Sequence, residues 1–342
     1  MIQLEKQVRF GMKVSFTGAP EYMDRNVGYG EASFNIFNSL NKLGIECEIK
    51  SKDAPVGISF TFPDKYTFSN NQYKIGYTPW ESTAVFNTWE KPLNNVIDEL
   101  WTTSNWCAEM FFKHTNKPIF VYEHGVLDSW IPKKRELNSS RPFRFLHIGE
   151  PSFRKDGQMV VDAFINLFGD DPNYELILKC SNMNTTRIFN KDTGNVKGSP
   201  PAFYKNIRII ESYLSVEQVD GLYDLCDAVV YPSWGEGFGF IPLQSMAKGI
   251  PTICTGAWAT YERYITMPID SVLTDSPWPI VHPGQMFKPD YSQVKFYMKD
   301  VVENYDKYSS LAYKNSFLVH KDYNWDKVSK PAVDRLKQIQ KF

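Results

Sequence analysis

The sequence predicts an α/β fold with two domains in tandem, each a parallel sheet covered by helices. Three observations carry this. The chain has 342 residues, too many for one small core and comfortable for two domains. Short apolar, β-branched runs alternate with stretches of helical period, as parallel strands joined by helical crossovers require. The alternation breaks once, at IPKKRELNSSRP (131–142), which is polar, has a proline near each end and has no period, and then it restarts. The expected division is a first domain over 1–132, a linker over 133–142 and a second domain over 143–324, with a helix over about 325–342 returning to the first.

In the first half, MKVSFTG (12–18) reads as a buried strand. Phe34, Phe37, Leu40 and Leu43 recur every third residue and predict a helix from Glu31 to Leu43, stopped by Gly44. Strands follow at 45–50, 73–78, 99–104 and 118–124. In the second half the predicted strands are 143–149, 174–180, 206–211, 227–232 and 251–255. Helices are expected over 157–168, from Ser215, over 242–248 and from about Trp325. Ser215 and Gln218 have capping-box spacing, while Pro242 and Gly249 mark a helix start and stop. A polar loop covers roughly 182–205.

The net charge of −1 excludes a global field that would draw the chain to nucleic acid or anionic lipid. Lys133, Lys134 and Arg135 form a local basic cluster, read as a solvated linker. Aromatic residues make up 15% of the chain and suit either cores or stacking platforms. The five cysteines are far apart and none has CxxC spacing, which points to reduced thiols rather than a disulfide frame or a zinc site. No leader pattern and no 18-residue apolar run is present, so a cytoplasmic protein is expected. The chain also lacks a D-x-D, a P-loop, a G-x-S-x-G and any metal-ligand spacing, and neither metal nor tightly bound cofactor is expected.

Three loops carry chemistry. In YPSWGEGFGFIPLQSMAKGIPTICT (231–255) a buried strand runs into Gly235, Gly237 and Gly239 around Glu236, and a helix follows. Glycines let the backbone approach a ligand, and a helix start favours an anion such as a diphosphate. Glu236 can accept from hydroxyls, and Gln244 lies in the first helical turns. In HIGEPSFRKDG (147–157), Arg154 and Lys155 sit between a strand and a helix start, as a diphosphate clamp or as a solvated basic pair. In GAPEYMDRNVGYGEASF (18–34), Gly28 and Gly30 precede a helix. The third glycine of a dinucleotide fingerprint is missing there, and the position of Asp53 near a ribose acid is read as coincidence.

The stretch Tyr231 to Thr255 resembles the signature of the family 4 (group 1) retaining glycosyltransferases, PS-x-x-EGFG-x-x-x-LE-x-(M)A-x-G-x-P. That resemblance implies the GT-B fold, two Rossmann-like α/β domains facing a central cleft. It implies that Glu236, with the amides of Gly237, Phe238 and Gly239, holds the donor sugar. The family's second glutamate binds the ribose, and Gln244 replaces it here. Ribose binding would become neutral rather than charge-assisted, weaker by roughly a kcal/mol. The loop after Gly149 would neutralise the leaving diphosphate through Lys155. Glu150 stands where the family has an arginine, which leaves Arg154 to supply the second charge.

By the same resemblance Gly28 and Gly30 reach the donor phosphate, and Asp24 and Arg25 are acceptor contacts. In YTPWE (77–81), Glu81 stands near the place where many relatives have a histidine facing the anomeric carbon, in a functional or a structural role. His124 replaces an asparagine landmark. The implied reaction is retaining, metal-independent transfer of a hexosyl or pentosyl group from a nucleoside diphosphate sugar, UDP- or GDP-linked, to a hydroxyl. A glycan is the expected acceptor; a hydroxylated DNA base or a protein is the alternative. Two rivals are a non-catalytic nucleotide-sugar binder, motivated by Gln244, and a nicotinamide-dependent oxidoreductase. A glycosidase would need two carboxylates flanking the bond.

Overall fold

The structure is a computed structural model that describes residues 11–18, 28–180 and 204–339. Asp24, Arg25 and nearly all of the polar loop 182–205 lie outside the described residues. The chain divides into two compact units: Met1–Trp80, Val85–Gly125 and Asp322–Phe342 form the first, and Glu81–Ala84 and Val126–Lys321 the second.

The first unit contains β1 (Lys13–Gly18), α1 (Gly28–Lys42), β2 (Glu46–Ile49), β3 (Val56–Phe60), β4 (Tyr73–Tyr77), β5 (Glu99–Thr102), α2 (Asn105–Phe111) and β6 (Ile119–Val121). The strands form a parallel sheet in the order β2-β1-β3-β4-β5-β6. Helix α1 begins at Gly28, not Glu31, so Gly28 and Gly30 belong to its first turn instead of a loop before it. The strand β3, buried at every residue, is absent from the sequence expectation. Pro55 before it and Gly57 inside it mask the run. Gly57 is required by packing, since a Cβ there would lie 2.4 Å from Asn71 Oδ1, and the Asn71 amide donates to Ala54 O at 2.7 Å. Ser104 caps the short α2 by accepting from Cys107 N, also unanticipated.

The second unit contains β7 (Phe143–Ile148), α3 (Gly157–Phe168), β8 (Tyr174–Lys179), β9 (Ile207–Ile210), α4 (Val216–Leu225), β10 (Ala228–Tyr231), α5 (Phe240–Ala247), β11 (Thr252–Thr255) and β12 (Met267–Ile269). Its parallel sheet has the order β12-β11-β10-β7-β8-β9. Ser215 and Gln218 complete the capping box that opens α4, and Gly249 takes φ 73° where α5 stops. An antiparallel hairpin, β13 (Ser271–Asp275) with β14 (Gln285–Pro289), and two helices, α6 (Tyr291–Glu303) and α7 (Tyr305–Tyr323), complete the region. Phe145, Val160, Phe164, Leu176, Val230, Ile253 and Met298 pack its core. The basic cluster of the expected linker is not merely solvated. Lys133 and Arg135 both pair with Asp224, and Arg135 Nη1 donates to Cys226 O at 3.0 Å.

The last helix, α8 (Trp325–Ile339), docks within the first unit. Its Arg335 reaches the buried Glu99 on β5, Nη2 to Oε2 at 2.6 Å, and Glu99 also accepts from Tyr73 OH and Trp101 Nε1, each at 2.9 Å. Tyr122 OH and Ser329 Oγ lie 2.6 Å apart beside them. Removing one partner from a buried ion pair leaves an uncompensated charge. Arg335→Ala is therefore expected to lower unfolding stability by about 3 kcal/mol, read by urea denaturation, while Lys299→Ala, which breaks an exposed helix pair, changes it by less than about 0.5 kcal/mol.

Candidate active site

The order of the second sheet reverses between β7 and β10: β7, β8 and β9 run outward one way, and β10, β11 and β12 the other. The carboxyl ends of β7 and β10 therefore meet at a topological switch point, where open α/β sheets bind ligands. The loops 149–156 and 232–239 leave from these two ends.

Glu236 lies at the centre. Its Oε1 accepts from Arg154 Nη1 at 2.8 Å, Lys155 Nζ at 2.6 Å, Tyr231 OH at 3.0 Å and Ser233 Oγ at 2.6 Å. Burial alone would raise its pKa, but Arg154 and Lys155 outweigh burial and hold it at about 2. Arg154 is buried, and its Nη1 also donates to Gly235 O at 2.8 Å. The neighbouring carboxylates keep its guanidinium charged. Lys155 lies over the Tyr231 ring at 5.1 Å and donates to its hydroxyl. Burial and the adjacent Arg154 push the Lys155 pKa down. Glu150 accepts from Arg154 Nη2 at 3.1 Å and from Ser152 Oγ at 3.2 Å.

The two helix starts differ. At α3, Asp156 adopts a left-handed conformation (φ 48°, ψ 44°) and caps the helix by accepting from Met159 N. Trp234 Nε1 fixes its other oxygen at 2.9 Å. The chain's own carboxylate thus occupies the α3 start beside Arg154 and Lys155. At α5 the N-cap is Gly239, at φ 86°, which has no side chain to cap the helix. A Cβ at Gly239 would lie 2.5 Å from Tyr261 Oη and 2.6 Å from Trp258. Phe238 is buried with edge contacts to Phe240 and Tyr261, and the Gly237–Gly239 backbone leads into the helix. Gln244 is nearly buried on α5, and its Oε1 accepts from Tyr223 OH at 3.3 Å. Gly149 lies tight under the site, a Cβ there being 3.2 Å from His147 Nε2 and 3.3 Å from Lys155 Cβ.

Glu81 comes from the first half of the sequence but packs in the second unit. Its carbonyl leaves no room for a side chain at Gly235, where a Cβ would approach to 2.2 Å. Thr83 N donates to Gln285 O at 3.0 Å, and Gln285 N donates to Thr83 Oγ1 at 2.7 Å. The Glu81 carboxylate lies 3.7 Å from His282 Nδ1. Burial raises the Glu81 pKa to about 7 against the pull of Arg154. Burial, with Arg154 second, lowers His282 to about 4, so the two do not form an ion pair at neutral pH.

The structure thus brings Arg154, Lys155 and Glu236 into one bonded network. Gly149 lies beneath it, Gly237, Phe238, Gly239 and Gln244 lie on the following loop and helix, and Glu81 is coupled to it electrostatically. Gly28 and Gly30 lie in the first unit. His124 is a buried aromatic neighbour of Phe60, Tyr77 and Trp325. Sequence reasoning gave no role to Tyr231, Ser233 or His282. Ser233 is a fixed letter of the matched signature and was findable; Tyr231 reads as the end of an apolar strand, and His282 follows no spacing rule.

Residues 205–277 match the family model of Glycosyl transferases group 1. That segment runs from the strand before α4 through the Glu236 loop to the hairpin, and the match supports sugar transfer in general. The fold is GT-B. Sucrose-phosphate synthase from Thermosynechococcus elongatus superposes with a TM-score of 0.70 at 12% identity, covering 96% of this chain and 99% of that one. WaaG, a glycosyltransferase involved in lipopolysaccharide biosynthesis, gives 0.60 at 12% identity, covering 94% and 99%. The pneumococcal O-GlcNAc transferase GtfA, solved with UDP and GlcNAc, gives 0.58 at 13% identity, covering 91% of this chain and 60% of that one. No curated protein matches the sequence. Among the described residues, no group of three potential ligands could hold a metal ion, and no helix is long and apolar enough to cross a membrane.

The Glu81 shift has a consequence for stability. Its folded pKa, about 7, lies above the ordinary 4.5. Its contribution is therefore full below about pH 4.5 and is lost as pH rises through 7. Glu81→Gln stays neutral throughout and loses nothing. The stability of Glu81→Gln relative to wild type is expected to rise by roughly 2 kcal/mol between pH 5 and pH 8, read from denaturation at each pH. A gap that does not change with pH would mean that Glu81 titrates normally.

Proposed function

We propose that the chain transfers a sugar, with retention and without a metal ion, from a nucleoside diphosphate sugar to a hydroxyl acceptor. The observation that carries this reading is the Arg154–Lys155–Glu236 network beside the start of α5, whose N-cap is Gly239. The backbone N–H groups at that start, together with the two cations, suit the negative charge of a departing diphosphate. Glu236, held ionised, suits the hydroxyls of the donor sugar. The acceptor oxygen attacks the anomeric carbon from the side that the diphosphate leaves. One carbon–oxygen bond breaks as another forms, and the acceptor proton passes to the leaving phosphate oxygen. No side chain is required as a nucleophile.

One similar structure was solved with UDP and GlcNAc and another is a glycosyltransferase involved in lipopolysaccharide biosynthesis; these support a UDP-linked donor and a glycan acceptor, with a GDP-linked donor as the alternative. The residues assigned to the donor are Glu236, Gly237, Phe238, Gly239, Gln244, Arg154, Lys155 and Gly149, and Glu81 faces the reacting carbon. Gln244 favours one second reading, a nucleotide-sugar binder without turnover, because its neutral amide already accepts from Tyr223.

Thermal melting with UDP, GDP, ADP, CMP and NAD, without added metal, tests the donor site. A ligand at a hundred times its dissociation constant adds about 2.7 kcal/mol of stability. Stabilisation by one nucleoside diphosphate alone is expected; stabilisation by NAD alone, or by nothing, overturns the reading. With the matching sugar donor, Lys155→Ala is expected to slow nucleotide release about 100-fold, and Gln244→Ala less. Equal rates for Lys155→Ala and wild type would remove Lys155 from the mechanism, and no release by wild type would favour the binder.

A further inference from the structure

The charges of the side chains gathered at the ends of β7 and β10 nearly cancel. Arg154 and Lys155 supply two positive charges, and Glu236 and Glu150 supply two negative ones, all within one set of ion pairs. Glu81, with a pKa of about 7, adds part of another negative charge near neutrality. A diphosphate arriving here meets a neutral to slightly negative cluster.

The two paired carboxylates are not equivalent. Glu236 is buried and accepts from Tyr231 and Ser233 as well as the cations. Glu150 lies at the rim, with its side chain 38% exposed against 9% for Arg154 and 8% for Glu236. Its bonds are to Arg154 Nη2 and Ser152 Oγ. Arg154 keeps its place without it, because Nη1 is held by both Gly235 O and Glu236 Oε1. Glu150 therefore adds little to the position of the guanidinium while offsetting its charge from the more exposed side of the pair.

We propose that Glu150 sets the affinity of this site for phosphate-bearing ligands: by offsetting Arg154 it keeps a nucleoside diphosphate weakly held, so that the product leaves readily after transfer. The inference rests on the donor reading above. A carboxylate within several ångströms of a multiply charged anion opposes binding in proportion to the ligand's charge, and added salt screens the effect.

Calorimetric titration of wild type, Glu150→Gln and Glu150→Asp tests this, with UDP, UMP and uridine or the guanosine series, whichever diphosphate stabilises the wild type. Glu150→Gln is expected to bind the diphosphate about tenfold more tightly, the monophosphate with a smaller gain and the nucleoside unchanged. Raising salt should narrow the gap, and Glu150→Asp should stay near wild type. Weaker or equal diphosphate binding by Glu150→Gln overturns the proposal and makes Glu150 a positioning residue for Arg154. An equal gain for the nucleoside also overturns it, since charge would not be the cause. If the wild type binds no diphosphate, the donor reading fails and this inference with it.

Discussion

A single carboxylate oxygen, Glu236 Oε1, joins the two loops of the candidate site. It accepts from a guanidinium, an ammonium, a phenol and a serine hydroxyl. Two of these donors come from the loop after β7, and the other two from the end of β10 and the loop after it. An ionised carboxylate is tolerated in a dry site only when such donors surround it. The same bonds make the loops interdependent: the arginine that neutralises Glu236 also holds Gly235 O, and Gly235 is where the Glu81 backbone comes closest. The site is a chain of constraints that begins at one atom.

The architecture was legible wherever local pattern and tertiary role agreed. The capping box at Ser215, the stop at Gly249 and the strand–glycine–helix sequence around Glu236 each have a local physical cause that spacing reveals. The strand β3 escaped because its burial is tertiary. Gly57 and the neighbouring Pro55 look like loop residues until Asn71 is seen filling the space above Gly57. Charge at the site was only half legible. Arg154 and Lys155 were recognisable as a basic pair, but a sequence does not reveal that Glu150 and Glu236 both fold back onto Arg154, nor that Asp156 turns its carboxylate into the start of α3. The pairing of Lys133 and Arg135 with Asp224 was hidden for the same reason, because the partners lie about ninety residues apart.

The glycines of the site serve different ends. Gly239 takes a left-handed backbone before α5 and leaves room for Trp258 and Tyr261. Gly235 supplies clearance for a neighbouring backbone, and Gly149 clearance for a histidine and a lysine. A motif that reads as uniform flexibility is in fact a set of close approaches, each defined by a different neighbour. Tyr223 imposes a similar constraint on Gln244, orienting the amide by its oxygen.

The docking of Thr83 against Gln285 spans 202 residues of sequence. During synthesis the N-terminal partner leaves the ribosome long before the hairpin that receives it, and long-range contacts of this kind form slowly. The strands and helices on either side of the Glu236 loop can assemble as they emerge, but Glu81 cannot be fixed against Gly235 until the far hairpin exists. The contact between Glu81 and Gly235 thus joins segments far apart in the sequence, and forming it carries the loop-closure cost of a long-range contact.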